Sequence, residues 1–237
     1  GTGISTGVFI GTNVSSSNTA SGIRNTAVGP NCLGKLTTGT HNTVLGTYAG
    51  YNITTGDYNI GIGSNGLGYS FSGNALTGDH NIGIGFESGH AITSGNNNIF
   101  AGYQAGYALT TGINSIGIGR ESLKAQTTGN KNLAIGRNAL KRITTAGDSL
   151  AIGYNALQGV TTGGDNIGIG GDAGYNITTG TRNIGIGNGV FGSSGTPFTG
   201  SYNIGLGSWT TGDALTSGGY NILMGHYSGS GLTTGSN

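Results

Sequence analysis

Six of the nine basic residues in this 237-residue chain fall between positions 120 and 142: Arg120, Lys124, Lys131, Arg137, Lys141 and Arg142. Arg120 precedes Arg137 by 17 residues, and Lys124 precedes Lys141 by the same interval. In a chain that repeats with that period, like charges stack at strand spacing and repel modestly. Repeated around an oligomer they make a positive belt, suited to phosphates or carboxylates of a surface polysaccharide. The alternative use is outward decoration that keeps a low-charge chain in solution.

Aromatic side chains are the second set able to bind. Tyr51, Tyr107 and Tyr175 share a column of the 17-residue register with His90, Lys124, Lys141 and Gln158. Tyrosines so placed either stack on sugar rings or form a lid over the next coil. Two departures from the period carry further aromatics, Tyr69 and Phe71 in a 22-residue interval and Phe191 to Phe198 in a 20-residue one, and Trp209 follows in the next coil. Insertions in a repeat architecture map to loops, often on a binding face. Arg120, Lys124, Arg137, Lys141, Arg142, Tyr69, Phe71, Phe198 and Trp209 are therefore the candidate glycan-binding or surface-binding set.

Catalytic chemistry is poorly served. Asp57, Asp79, Glu87, Glu121, Asp148, Asp165, Asp172 and Asp213 are dispersed, and only Asp148 and Asp165 read as one column, where a trapped cation competes with solvated turn charges. Glycoside cleavage needs paired carboxylates at a defined separation, so no enzyme is expected. His41, His80, His90 and His226 lie at no metal-ligand spacing, and the single Cys32 sits at an alanine site of the repeat. Gly61-Ile62-Gly63-Ser64-Asn65-Gly66 matches G-x-G-x-x-G, but no helical periodicity follows to hold a pyrophosphate. No cofactor is expected. Asn13, Asn52 and Asn176 open glycosylation patterns, two of which arise from the repeat itself. A net charge of +1 points to neither nucleic acid nor an acidic membrane, and no apolar run approaches the ~18–20 residues of a membrane span.

The elements that position these residues come from a repeat. Relatives of Asn59-Ile60-Gly61-Ile62-Gly63 begin at 7, 25, 42, 59, 81, 98, 115, 132, 149, 166, 183, 203 and 221, and eight of the twelve intervals are 17 residues. Each coil also carries a motif such as Leu36-Thr37-Thr38-Gly39 or Ile177-Thr178-Thr179-Gly180. Two β-prone segments of about four residues per 17 are too short for helix pairs or propeller blades and suit a parallel β-solenoid. The fold class expected is all-β, a β-solenoid or β-roll of about 13 coils over residues 1–237. At one strand spacing per coil it would make a rod of about 60 Å. The chain starts Gly1-Thr2 rather than with Met, so it is expected to be a segment of a longer protein.

Within the anchor, period-two alternation puts Ile60 and Ile62 on one face, expected to point into the coil. The middle column of Gly61, Gly83, Gly117, Ala134, Ala151, Gly168 and Gly185 then reads as a seam against another chain, or as a crowded turn. The fifth anchor position is glycine in all thirteen copies and is expected at positive φ. The Asn column should form a ladder that bonds coil to coil and caps turn carbonyls. So thin a core calls for association, most simply a homotrimer around a shared axis.

The repeat resembles those of bacteriophage tail-fibre proteins and their bacterial relatives, most closely at Asn25-Thr26-Ala27-Val28-Gly29 and Asn132-Leu133-Ala134-Ile135-Gly136-Arg137-Asn138-Ala139-Leu140. Its Ala-Ile-Gly core is also similar to the head repeats of trimeric autotransporter adhesins, which form left-handed parallel β-rolls. The resemblance implies a trimeric, non-enzymatic fibre segment on a virion or cell surface, active in host attachment. Its partners would be copies of itself, surface polysaccharide or other fibre proteins. A trimeric bacterial adhesin is the alternative. An ice-binding solenoid is weaker, because adjacent threonines face opposite ways and leave one outward rank.

Overall fold

The computed structural model describes residues 7–15, 23–69, 73–192, 195–209, 211–212 and 214–235. They form two compact units, Gly1–Ser115 and Ile116–Asn237. All named elements are strands of three residues. The first unit holds β1 (Val8–Ile10), β2 (Thr26–Val28), β3 (Thr43–Leu45), β4 (Ile60–Ile62), β5 (Ile82–Ile84) and β6 (Ile99–Ala101). The second holds β7 (Ile116–Ile118), β8 (Leu133–Ile135), β9 (Leu150–Ile152), β10 (Ile167–Ile169), β11 (Ile184–Ile186), β12 (Ile204–Leu206) and β13 (Ile222–Met224). In each unit consecutive strands pair in parallel and in phase with the repeat, as in Ile167↔Ile184, Gly168↔Gly185 and Ile169↔Ile186. The fold is an all-β solenoid.

The Asn ladder lies inside it. Asn42 donates its backbone N–H and its Nδ2 to Oδ1 of Asn25, at 2.8 and 3.1 Å, and gives Nδ2 also to the Gly56 carbonyl at 2.8 Å. Asn183 does the same toward Asn166 and Gly200. Every member of the column from Asn25 to Asn221 is buried. Each amide thus satisfies a turn N–H and a turn carbonyl that burial would otherwise leave costly. The fifth-position glycines take φ from +106° to +139°, except Gly207. A Cβ at Gly136 would also stand 2.3 Å from the Gly153 carbonyl oxygen, so both conformation and space demand glycine.

The strand faces are the reverse of the sequence expectation. The middle residue of each strand from β2 to β13 is buried, and its two flanking residues are half-buried or exposed. Ile60 and Ile62 therefore point outward, and the small middle column is no seam between chains. It is small because a second side chain fills the same space. Leu67, at φ +54°, turns inward, 3.2 Å from where a Cβ at Gly61 would stand, and Leu123, at φ +52°, is fully buried likewise. Where the strand residue is large, the turn residue is glycine: a Cβ at Gly50 would lie 2.8 Å from Val44, and one at Gly106 would lie 2.4 Å from Phe100. In these coils one large group fills the space, from either side; in the coils of β5 and β10 both places are glycine, and Leu67 and Leu157 of the preceding coils reach in beside Gly83 and Gly168.

Gly106→Leu is accordingly expected to overpack the coil and cost about 2–3 kcal/mol. Adding Phe100→Gly should recover most of that loss by recreating the Gly61 and Leu67 arrangement. Denaturant melts of the two singles and the double measure the coupling, and simple additivity would refute shared volume.

The second motif of each coil is mostly bent rather than extended, with isolated β-bridges, among the described residues, only at Ile53↔Leu76 and Ile177↔Phe198. Threonine compensates. Thr144 donates both its N–H (2.9 Å) and its hydroxyl (3.2 Å) to the carbonyl of Thr161, one coil on. The small column after the anchor is core, as expected. Cys32 is buried, its thiol donates to the Gly46 carbonyl at 2.8 Å, and burial pushes its pKa up.

Candidate surface-binding site

The basic belt divides by chemistry. Lys124 and Lys141 stack as expected, but Glu121 lies between them and accepts from both, at 2.9 and 2.8 Å. Its side chain is only 13% exposed, and hydrogen bonds from Lys141 and then Lys124 hold its carboxyl down to about 2 from the usual 4.5. These two lysines offer little to a ligand. Arg120, Arg137 and Arg142 are exposed, and the Arg137 guanidinium lies over the Tyr154 ring at 5.8 Å. A depressed carboxyl stabilises the fold above the ordinary carboxylate range and loses that contribution as pH falls from about 4.5 toward 2. Thermal melts across that window should show wild type losing stability, whereas Glu121→Gln starts lower at neutral pH and changes less on acidification.

The tyrosine column divides too. In the first unit it is a lid: Tyr51 and Tyr69 meet edge-on at 5.8 Å, and His90 stacks on Tyr107 at 4.6 Å. Burial lowers the pKa of His90, against the raising influence of Glu87. A second aromatic file, not singled out in the sequence, precedes the Asn ladder: His41, Tyr58 and His80 stack at 4.5 and 5.0 Å. Its signal was a constant position one residue before each anchor. The two imidazoles cover both faces of the Tyr58 ring there.

The loop aromatics separate further. Phe198 is buried in the core against Phe191, with ring centroids 5.4 Å apart, and does not belong to a surface set. The Phe-Thr-Gly run at 198–200 was the overlooked signal, a shortened copy of the Thr-Thr-Gly motif that returns the loop to register. Tyr69 belongs to the lid, Trp209 is 59% exposed, and Phe71 lies outside the described residues. The acidic columns are occupied by the protein itself. Asp148 and Asp165 face Lys131 and Arg182 at 4.0 and 3.4 Å. Asp57 and Asp79 form a second column that the sequence reading missed; each accepts a backbone N–H of the preceding coil, from Thr40 and Asp57, at 2.6 and 2.7 Å. Asn52 and Asn176 are buried, which closes those two glycosylation patterns in the folded state, while Asn13 is exposed.

Two further surfaces among the described residues are open for binding. One is a cleft of about 300 Å³ in the second unit, between Arg142, Tyr175 and the inserted Gly195–Pro197 segment. The other is the outward face of the strands. In the second unit its fourteen positions, two on each of β7 to β13, are all Ile, Leu or Met. Ile135 and Ile152 are 37% exposed there, and Met224 is 66% exposed. The first unit repeats the pattern with Thr26, Thr43 and Ala101 interrupting it. No family model matches the chain, and neither a curated protein nor a solved structure matches it.

Proposed function

We propose that the chain is a non-enzymatic structural and adhesive segment of a fibrous appendage, a phage tail fibre or a similar surface fibre, that works as a homotrimer in host attachment. The observation that carries this reading is the outward apolar face. Parallel sheets are normally covered on both sides, and contiguous apolar patches mark interaction surfaces. The surface that best matches a face repeating at strand spacing is the same face of another copy. A fibre needs its chains to run in one direction, which rotation about an axis along the stack allows and an antiparallel dimer does not. Three narrow faces turned toward that axis would close a common core. The non-enzymatic part is supported by how the carboxylates are used: Asp57 and Asp79 cap backbone, and Glu121 is held between lysines.

Sedimentation equilibrium on the purified chain tests the reading. A mass near three times 23.5 kDa is expected. A folded single chain at micromolar concentration would overturn the assembly. Failure of the trimer to compete with the parent fibre for adsorption to host cells would overturn the adhesive role.

A further inference from the structure

We propose that the cleft above Gly159 binds a carboxylated sugar, of the uronic acid or sialic acid kind, a step that rests on the adhesive reading and names its ligand. The cleft is built by a break in side-chain columns. Arg142, Gly159 and Asn176 occupy the same place in three successive coils. Gly159 has no side chain to fill its place, and none would fit: a Cβ there would stand 2.3 Å from the Tyr175 carbonyl oxygen. Arg142 therefore borders an open notch whose far side is formed by Tyr175, Asn176 and Thr178, with Pro197 of the inserted segment at the rim.

Three properties select the ligand. Arg142 is exposed and has no ion-pair partner among the described residues, unlike Lys124 and Lys141. No acidic side chain lines the notch, so its one formal charge is positive. A guanidinium presents a planar fork that matches a carboxylate with two parallel hydrogen bonds.

Tyr175 supplies the second property. Tyr51 and Tyr107 of the same column each meet an aromatic neighbour, whereas Tyr175 meets none among the described residues. The next coil places Gly192 at that column, where a Cβ would lie 2.1 Å from the Asp172 carbonyl oxygen. A half-buried ring without a lid offers an apolar face to the C–H bonds of a pyranose. The third property is size. A volume near 300 Å³ lies at the lower end of small-ligand sites, room for one or two sugar rings rather than a long chain.

Titration calorimetry of the full chain with a glucuronic-acid-containing disaccharide, its glucose counterpart and inorganic phosphate tests the assignment. The acidic sugar should bind, and the neutral one about tenfold or more weaker, as befits losing a charge-assisted bidentate pair. Arg142→Ala and Tyr175→Ala should each weaken the acidic sugar by a similar factor, with unchanged circular dichroism. Binding that survives Arg142→Ala, phosphate binding as tight as the acidic sugar, or no binding of the acidic sugar at millimolar concentration would each overturn the proposal. The notch lies within one chain, so a variant that no longer assembles should still bind. Loss of the trimer and loss of the sugar site are therefore read separately.

Discussion

Ile135→Lys combined with Ile152→Lys is expected to convert the proposed trimer to single folded chains. Both residues stand on adjacent strands of the outward face and are already 37% exposed within one chain. An added ammonium can reach water there, so the coil itself should lose no more than about 0.5–1 kcal/mol. In the trimer the same two positions would place six ammonium groups in an apolar core without partners, at several kcal/mol each. Sedimentation should report the single-chain mass while the far-ultraviolet spectrum keeps its β character. The matched pair Ile135→Val and Ile152→Val should stay assembled. An unchanged mass in the lysine variant would show that the chains meet elsewhere.

The second large effect lies inside the coil. Asn59 is fully buried, and its Oδ1 accepts from Asn81 N (2.9 Å) and Asn81 Nδ2 (3.2 Å) while its Nδ2 donates to Gly78 at 2.9 Å. Asn59→Leu leaves the Asn81 N–H and the Gly78 carbonyl without partners, at about 1–3 kcal/mol for each buried group. A loss of about 3–5 kcal/mol is expected, together with faster hydrogen exchange at the Asn81 amide. Asn59→Ser should cost far less. Ser149 already occupies this column, and its hydroxyl accepts from the Asn166 N–H at 3.3 Å. If Leu and Ser behaved alike, the ladder would be filler rather than support.

How much of this was legible in the sequence depended on whether a residue's identity or only its direction was at issue. The ladder and the positive-φ glycines were readable because one residue type recurs at a constant interval, and that type has one reason to be there. Direction was not readable at the strands. In Ile-Gly-Ile the alternation separates two faces without saying which is inside, and hydrophobicity favours the wrong one. The missing information was Leu67, five residues after Ile62, entering the space over Gly61 from a turn at positive φ. β-Branched or aliphatic residues are seldom expected in such a conformation, and burial offsets its cost. Phe198 misled for a related reason. It stands after an insertion, and only its place ahead of Thr199 and Gly200 marks it as the returning core residue. For the surface, the register put Lys124 beneath Lys141 correctly, but Glu121 could be seen between them only once the turn had shape.

The ladder bond that joins Asn183 to Asn166 is the same bond that joins Asn42 to Asn25, and this has a consequence for inheritance. Because most coils present their neighbours with the same acceptors and donors, a deletion of 17 codons between β8 and β10 would bring Asn132 next to Asn166, two rungs of the same kind. A deletion of 16 would instead leave one 18-residue coil whose extra residue must be carried in a loop, as between Asn203 and Asn221. The gene can therefore lengthen or shorten its product by whole repeats, through unequal recombination, without needing a second mutation to repair the seam.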